Sequence, residues 1–439
     1  MYVIYSLLLY LSVPVVLLRL LWRSLGNPDY RRRWGERFGY AAPPAPGGPV
    51  IWIHAVSVGE VQAARPLVEH LARHCPGYRL LLTTTTPTGA ATAQRLFGDG
   101  IEHRYLPYDL PGAVARFLAR TAPVLAIILE TEIWPNLYRA CRRRHIPVAL
   151  VNARLSEKSR RGYRRFPGLV RRTLGCLALI AAQSRPDADR FLSLGAPAAL
   201  LRITGNLKFD VSPPRSVVEA GEGLRRFLSP DRPVWVAAST HAGEEELCLR
   251  AFREVLAEHG NCLLILAPRH PERSRAVVEL ARREGFKPVI HSDNRAYRAD
   301  TRVYVLDTLG ELPVFYAAAD VSFVGGSLVA AGGHNVLEPA ALGVPVICGP
   351  HLFNFSEAAA RLEAAGALCR VSTVTELAGT VNRLLDDANL RHEQGEQGRR
   401  VVLDNQGSLQ RLLQAMSETA LLPDGPGTDK QAESIKTST

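Results

Sequence analysis

Short apolar runs separated by amphipathic segments recur through most of this chain, and that alternation constrains the fold more than any other feature. Six runs come first: Val50–Ile53, Leu80–Leu82, Leu125–Leu129, Val148–Val151, Leu179–Ala182 and Leu201–Thr204. The Pro-containing stretch "VSPPRS", Val211–Ser216, then breaks the rhythm and reads as a linker. Five further runs follow: Val234–Ala237, Leu263–Leu266, Val303–Val305, Val321–Val324 and Val346–Ile347. Strands alternating with helices in this way build parallel sheets covered by helices. The expectation is therefore an α/β protein with two Rossmann-like domains facing a cleft, spanning 25–210 and 217–422 around a linker at 211–216. The length of 439 residues suits two or three domains. Residues 423–439, rich in Gly, Asp, Ser, Thr and Lys, read as a disordered tail.

Ahead of the first run stands "MYVIYSLLLYLSVPVVLLRLLW", which is about long enough to span or dip into a bilayer. Positive charge follows this segment rather than preceding it, and no small-residue cleavage site is visible, so an uncleaved anchor over 1–24 is expected. Pro14 and Arg19 keep an interfacial helix open as the alternative to a span. The positive-inside rule puts the arginines and the domains after them on the cytoplasmic side. Net charge is +11, and the whole surplus lies between Leu137 and Thr173, where twelve Lys or Arg meet the single acid Glu157. A second cluster, Arg19, Arg23, Arg31, Arg32, Arg33 and Arg37, follows the apolar segment. No aromatic-interleaved or zinc-finger pattern accompanies them, which sets nucleic acid aside in favour of an anionic membrane surface or a phosphorylated lipid. Seven cysteines without a C-x-x-C pair argue against a disulfide framework or zinc site and for a reducing compartment.

Nearly every run ends in polar or glycine-rich residues, where ligands bind in open α/β sheets. "HAVSVGE" places Glu60 three residues after Ser57, which fits either a capping box or a catalytic carboxylate. "ETEIWPN" sends four apolar residues into Glu130 and Glu132, an arrangement that desolvates or pairs a carboxylate. "GNLKFD" offers Lys208 as a counter-charge for a developing anion. In the second half, "GGSLVAAGGHNVLEPA" brings glycines before a helix start, with Asn335 and Glu338 three apart on one face. A carboxylate there suits sugar hydroxyls, while the absence of G-x-G-x-x-G argues against NAD. "APRHPER" sets Arg269 just past a strand, a clamp for phosphate or carboxylate. "DTLGE" adds Leu309, Gly310 and Glu311, although its T-x-x-E is also a plain cap. No convincing metal-ligand set appears. Read from residues alone, this is a membrane-associated, two-sheet enzyme that binds a phosphate-containing donor.

In order along the chain, "RRRWGERFG", "HAVSVGE", "TPTG", "LPYDLP", "ETEIWPN", "NARLS", "GNLKFD", "STHAGEE", "PRHPER", "GGSL", "GGHNVLEPA" and "GPHLFNF" resemble the bacterial 3-deoxy-D-manno-octulosonic acid (Kdo) transferases of GT-B fold. The resemblance implies an inverting transferase of lipopolysaccharide biosynthesis, moving Kdo from CMP-Kdo to an anionic lipid A precursor (lipid IV-A) at the inner membrane. It needs no cofactor or metal. By motif, Glu60 becomes the proton acceptor, and Glu130 and Lys208 become transition-state stabilisers. CMP contacts fall on Pro268, Arg269, Leu309, Gly310, Glu311, Asn335, Val336, Leu337 and Glu338. Val336 stands where the family commonly has proline. The competing expectations are a GT-B transferase using a UDP-sugar on a lipid acceptor and a non-catalytic, membrane-bound nucleotide sensor.

Overall fold

A computed structural model describes residues 1–42, 47–228 and 231–422; the expected tail at 423–439 lies outside the described residues. The chain divides into two compact units, Met1–Asp210 with Gly407–Thr439, and Val211–Gln406. Each is built on a seven-stranded parallel sheet covered by helices, the α/β architecture that the alternation predicts.

The first sheet comprises β1 (Val50–His54), β2 (Arg79–Thr84), β3 (Glu102–Tyr105), β4 (Pro123–Leu129), β5 (Val148–Ala153), β6 (Leu179–Ala182) and β7 (Leu201–Ile203). Its order is β3-β2-β1-β4-β5-β6-β7, so the winding direction reverses between β1 and β4. The second sheet comprises β8 (Val234–Thr240), β9 (Leu263–Pro268), β10 (Val289–Ile290), β11 (Val303–Val305), β12 (Val321–Val324), β13 (Val346–Cys348) and β14 (Leu368–Arg370). Its order, β10-β11-β9-β8-β12-β13-β14, reverses between β8 and β12. These reversals leave a crevice at the carboxyl ends of the flanking strands, the place where doubly wound sheets bind ligands.

Central strands are buried on both faces: all five residues of β1 and the last five of β4 are fully enclosed. Alternate residues of each strand serve opposite faces. Trp52, Ile128 and Leu150 pack with the helices Pro111–Thr121, Pro135–Arg143 and Pro167–Leu174. Ile51, Ile53 and Ile127 pack on the other face with the helix Val58–His74.

The far end of the chain departs from the expected 217–422 boundary. Helix Ser408–Glu418 packs with the first unit, burying Leu412, Ala415 and Met416 beside Leu207. Asp210 anchors its start by accepting the backbone N–H groups of Ser408 and Leu409. An amphipathic helix goes where its apolar stripe finds cover, and here that cover is the first sheet. The expected linker is also shorter than drawn, since a helix begins at Arg215.

The N-terminal helix runs from Tyr2 to Gly26 without interruption at Pro14. It is long and apolar enough to cross a membrane, with a mean hydropathy of 2.1 and little burial. Ile4, Leu8, Leu11, Val15, Leu18, Trp22 and Leu25 recur every three or four residues, and each is more than 60% exposed. One flank of the first two turns is tied to the first unit. Tyr5 donates its hydroxyl to Asp109 at 3.0 Å, and Ser6 donates to the Asn136 side-chain oxygen at 3.1 Å. Part of the arginine cluster that follows is structural rather than free for lipid. Arg33 forms a two-pronged bond to Glu36, and Arg37 is buried over the Tyr105 ring.

Candidate active site

Glu60 and Glu130 follow the two strands that flank the reversal in the first sheet. The helix after β1 begins at Val58, and Glu60 sits in its first turn, 8% exposed. The reciprocal capping box does not form. The Ser57 hydroxyl accepts no backbone N–H of the helix; it donates to Glu60 Oε1 at 3.1 Å, and the Val56 N–H donates to Oε2 at 2.8 Å. Two donors are few for a buried carboxylate. Burial, followed by the repulsion of Glu130, pushes its pKa up to about 8.

Glu130 directly follows β4 and adopts φ 59°, a left-handed conformation that costs any L-residue bearing a Cβ free energy. Lys208, from the turn after β7, reaches it with Nζ 3.2 Å from Oε1; both side chains are about one-fifth exposed. A Cβ placed on Gly59 would lie 3.9 Å from the same Nζ, so the ammonium also borders the first turn that carries Glu60. Sequence reasoning thus named three groups that the fold brings together. It named Glu132 beside Glu130 but gave it no role; burial and then Glu130 raise its carboxyl to about 7. The visible signal was the second carboxylate of "ETE".

In the second unit, the predicted binding residues all follow strands of one sheet. Pro268 closes β9 opposite Thr240, and the Arg269 N–H donates to the Thr240 carbonyl at 2.9 Å. The loops after β9 and β12 converge over the end of β8. There His241 lies with Nε2 2.8 Å from Nε2 of His334, while its ring meets His270 edge-on. Asn335 caps the turn by accepting the Leu337 N–H, and its amide donates to Glu338 at 3.0 Å. Val336 and Leu337 are fully buried. Leu309 is 66% exposed beside Gly310. Glu311 accepts the Thr308 hydroxyl and pairs with His291 at 3.0 Å, and the helix begins only at Leu312.

A residue that sequence reasoning missed organises this rim. Glu244 of "STHAGEE" is fully buried, and each of its oxygens accepts two backbone N–H groups. Oε2 takes His241 and Gly326; Oε1 takes Ser327 and Leu328, all within 3.0 Å. The carboxylate therefore holds the "GGSL" loop against β8. Glycine is required there, because a Cβ at Gly325 would sit 2.7 Å from the Ser239 carbonyl. Neighbouring Glu245 pairs with Arg273 at 2.8 Å. Among the described residues no group of three or more His, Cys, Asp or Glu could hold a metal ion.

Comparison with known proteins accords with this geometry. Residues 32–211 match the family model for 3-deoxy-D-manno-octulosonic-acid transferase (kdotransferase), and residues 246–401 match that for glycosyl transferases group 1. The 3-deoxy-D-manno-octulosonic acid transferase of Haemophilus influenzae is 42% identical over 93% of this chain and 96% of its own. That of Bordetella pertussis is 39% identical over 87% and 90%. The UDP-GlcNAc 2-epimerase of Neisseria meningitidis is 14% identical with a TM-score of 0.53, covering 84% of this chain and all of its own; it shares the fold alone. Two doubly wound parallel units, the ordered motifs and near full-length identity together establish that the chain belongs to the 3-deoxy-D-manno-octulosonic acid transferase family of glycosyltransferases.

Proposed function

We propose that this glycosyltransferase moves Kdo from CMP-Kdo to a phosphorylated lipid A precursor, inverting the anomeric centre without a metal ion. The observation that carries the reading is Glu60, a buried carboxyl at the sheet's switch point whose pKa is raised to about 8. A carboxylate made more basic by burial and a like charge is suited to take a proton from a hydroxyl. As the acceptor oxygen bonds the anomeric carbon, its proton passes to Glu60. The opposite bond, from the anomeric carbon to the phosphate oxygen of CMP, breaks and its electron pair leaves with CMP. Lys208 supplies positive charge as negative charge develops, and Glu130 holds it in place at 3.2 Å.

CMP is bound by the rim of the second unit. Arg269 clamps phosphate, and Glu338, held by Asn335, accepts a ribose hydroxyl. Pro268, Leu309, Gly310, Glu311, Val336 and Leu337 complete the site. The apolar N-terminal helix keeps the enzyme at the inner membrane, with the arginine clusters on the cytoplasmic side where an anionic lipid acceptor lies. The test incubates the purified chain with CMP-Kdo and lipid A precursor in chelator and weighs the product. A mass gain of one or more Kdo units is expected. Transfer from a UDP-sugar but not from CMP-Kdo would overturn the donor, and activity restored only by magnesium would overturn the metal-free step.

A further inference from the structure

The face of the first unit opposite Glu60 carries a feature that transfer chemistry does not use. Between the helices Pro135–Arg143 and Pro167–Leu174 lies a cavity of about 740 Å³ lined by Arg139, Arg142, Arg143, Arg171 and Arg172. Neither it nor the adjoining cavity of about 480 Å³ is lined by any carboxylate. Elsewhere in the same basic segment, Arg160 and Arg161 both pair with Glu157. Among the described residues, none of the five cavity arginines has such an ion pair. Five arginines around one hollow with no carboxylate in its lining attract an anion to it.

The adjoining cavity is mixed: it shares Tyr2, Arg139 and Arg143 with the first, adds Arg144, Ser6 and Asn136, and has an apolar side of Val3, Leu7 and Ala115. Tyr2, Val3 and Leu7 belong to the N-terminal helix, and the Arg139 guanidinium lies 4.7 Å from the Tyr2 ring centroid. A cationic hollow therefore adjoins a groove with an apolar side along the helix that carries the exposed Leu8–Leu11–Val15–Leu18 stripe. These two helices pack on the sheet face of Trp52 and Ile128, whereas the Glu60 helix packs on the face of Ile51 and Ile53.

We propose that this juxtaposition is a site for an anionic phospholipid of the bilayer, its headgroup phosphate among the arginines and an acyl chain beside Val3 and Leu7. The lipid fastens the N-terminal helix to the first unit and is not the acceptor. The proposal rests on the reading that the protein works at a membrane.

The full-length chain is tested for binding to vesicles of phosphatidylcholine, with and without phosphatidylglycerol. Three forms are compared: wild type, a cavity triple (Arg142→Ala, Arg143→Ala, Arg172→Ala), and a control triple (Arg226→Ala, Arg283→Ala, Arg400→Ala) that removes equal charge from the second unit. The cavity triple should lose the preference for phosphatidylglycerol at least about tenfold, given the attraction each basic residue contributes near an anionic surface. The control should keep it, and the cavity triple should transfer sugar normally to detergent-dispersed acceptor. Equal losses in both triples would reduce the effect to diffuse charge and overturn the proposal. A raised KM for acceptor in the cavity triple would give the groove to the acceptor and likewise overturn it. Wild-type protein that binds neither vesicle would sink the membrane reading itself.

Discussion

The two sheets present the same edge to their ligands but treat its carboxylates in opposite ways. At the switch point of the first sheet, Glu60 has one backbone N–H and one hydroxyl as donors, and Glu130 stands close enough to repel it. At the switch point of the second, Glu244 is buried still more completely but has four backbone N–H donors. An under-supplied carboxylate is a base; a saturated one is a scaffold. The contrast teaches that burial alone does not mark a catalytic acid residue. What decides is the count of donors around it.

One substitution, glutamate to glutamine, separates the two roles. The largest effect is expected at Glu60. Its Val56 donor can be met by the amide oxygen, and Ser57 can accept from the amide nitrogen, so the fold should tolerate Glu60→Gln. The amide cannot take a proton, and transfer should fall by roughly 10²- to 10⁴-fold with an unchanged melting temperature. Single-turnover rates and calorimetry check this; near-normal transfer would leave Glu60 a purely structural residue. Glu244→Gln should do the reverse. Whichever way the amide turns, its NH2 faces two N–H donors, so the second unit should lose on the order of 3 kcal/mol of stability. Denaturant unfolding measures that loss, and an unchanged midpoint would break the contrast.

A smaller effect is expected from the residues proposed to hold CMP on the second rim. Arg269→Ala and Glu338→Ala should each weaken CMP about tenfold, the size expected for one charge-assisted hydrogen bond. Neither should change the unfolding midpoint as Glu244→Gln does. Calorimetric titration with CMP distinguishes the classes; CMP affinity untouched in both variants would move the donor site elsewhere.

Legibility in the sequence followed burial. The eleven expected strands are all present; ten lie inside their sheets, where strands buried on both faces read as continuous apolar runs, and the eleventh, β7, is an edge strand with a partly exposed face. The three strands not foreseen, β3, β10 and β14, are sheet edges with partly exposed residues, such as the "EHRY" of β3. Glu60, Glu130 and Lys208 were legible because each interrupts or follows an apolar run. Glu244 was not, since "STHAGEE" reads as an ordinary acidic helix start, and its four donors come partly from residues more than eighty positions away. The return of Ser408–Glu418 to the first unit was hidden for the same reason: its apolar stripe names a face but not the partner. The capping box at Ser57 failed because its serine bonds the carboxylate rather than the helix.

The central claim is that Glu60 is a base made more basic by Glu130. It is tested most directly by the pH dependence of kcat/KM for wild type and Glu130→Gln. The base works only when deprotonated, so activity should rise with pH along a limb set by Glu60, near its raised value of about 8. Removing the Glu130 charge removes the second cause of that shift, so the limb should move to lower pH even as the maximal rate falls with the loss of the Lys208 partner. A limb in the ordinary carboxylate range in wild type, or one that stays in place in Glu130→Gln, would contradict the account.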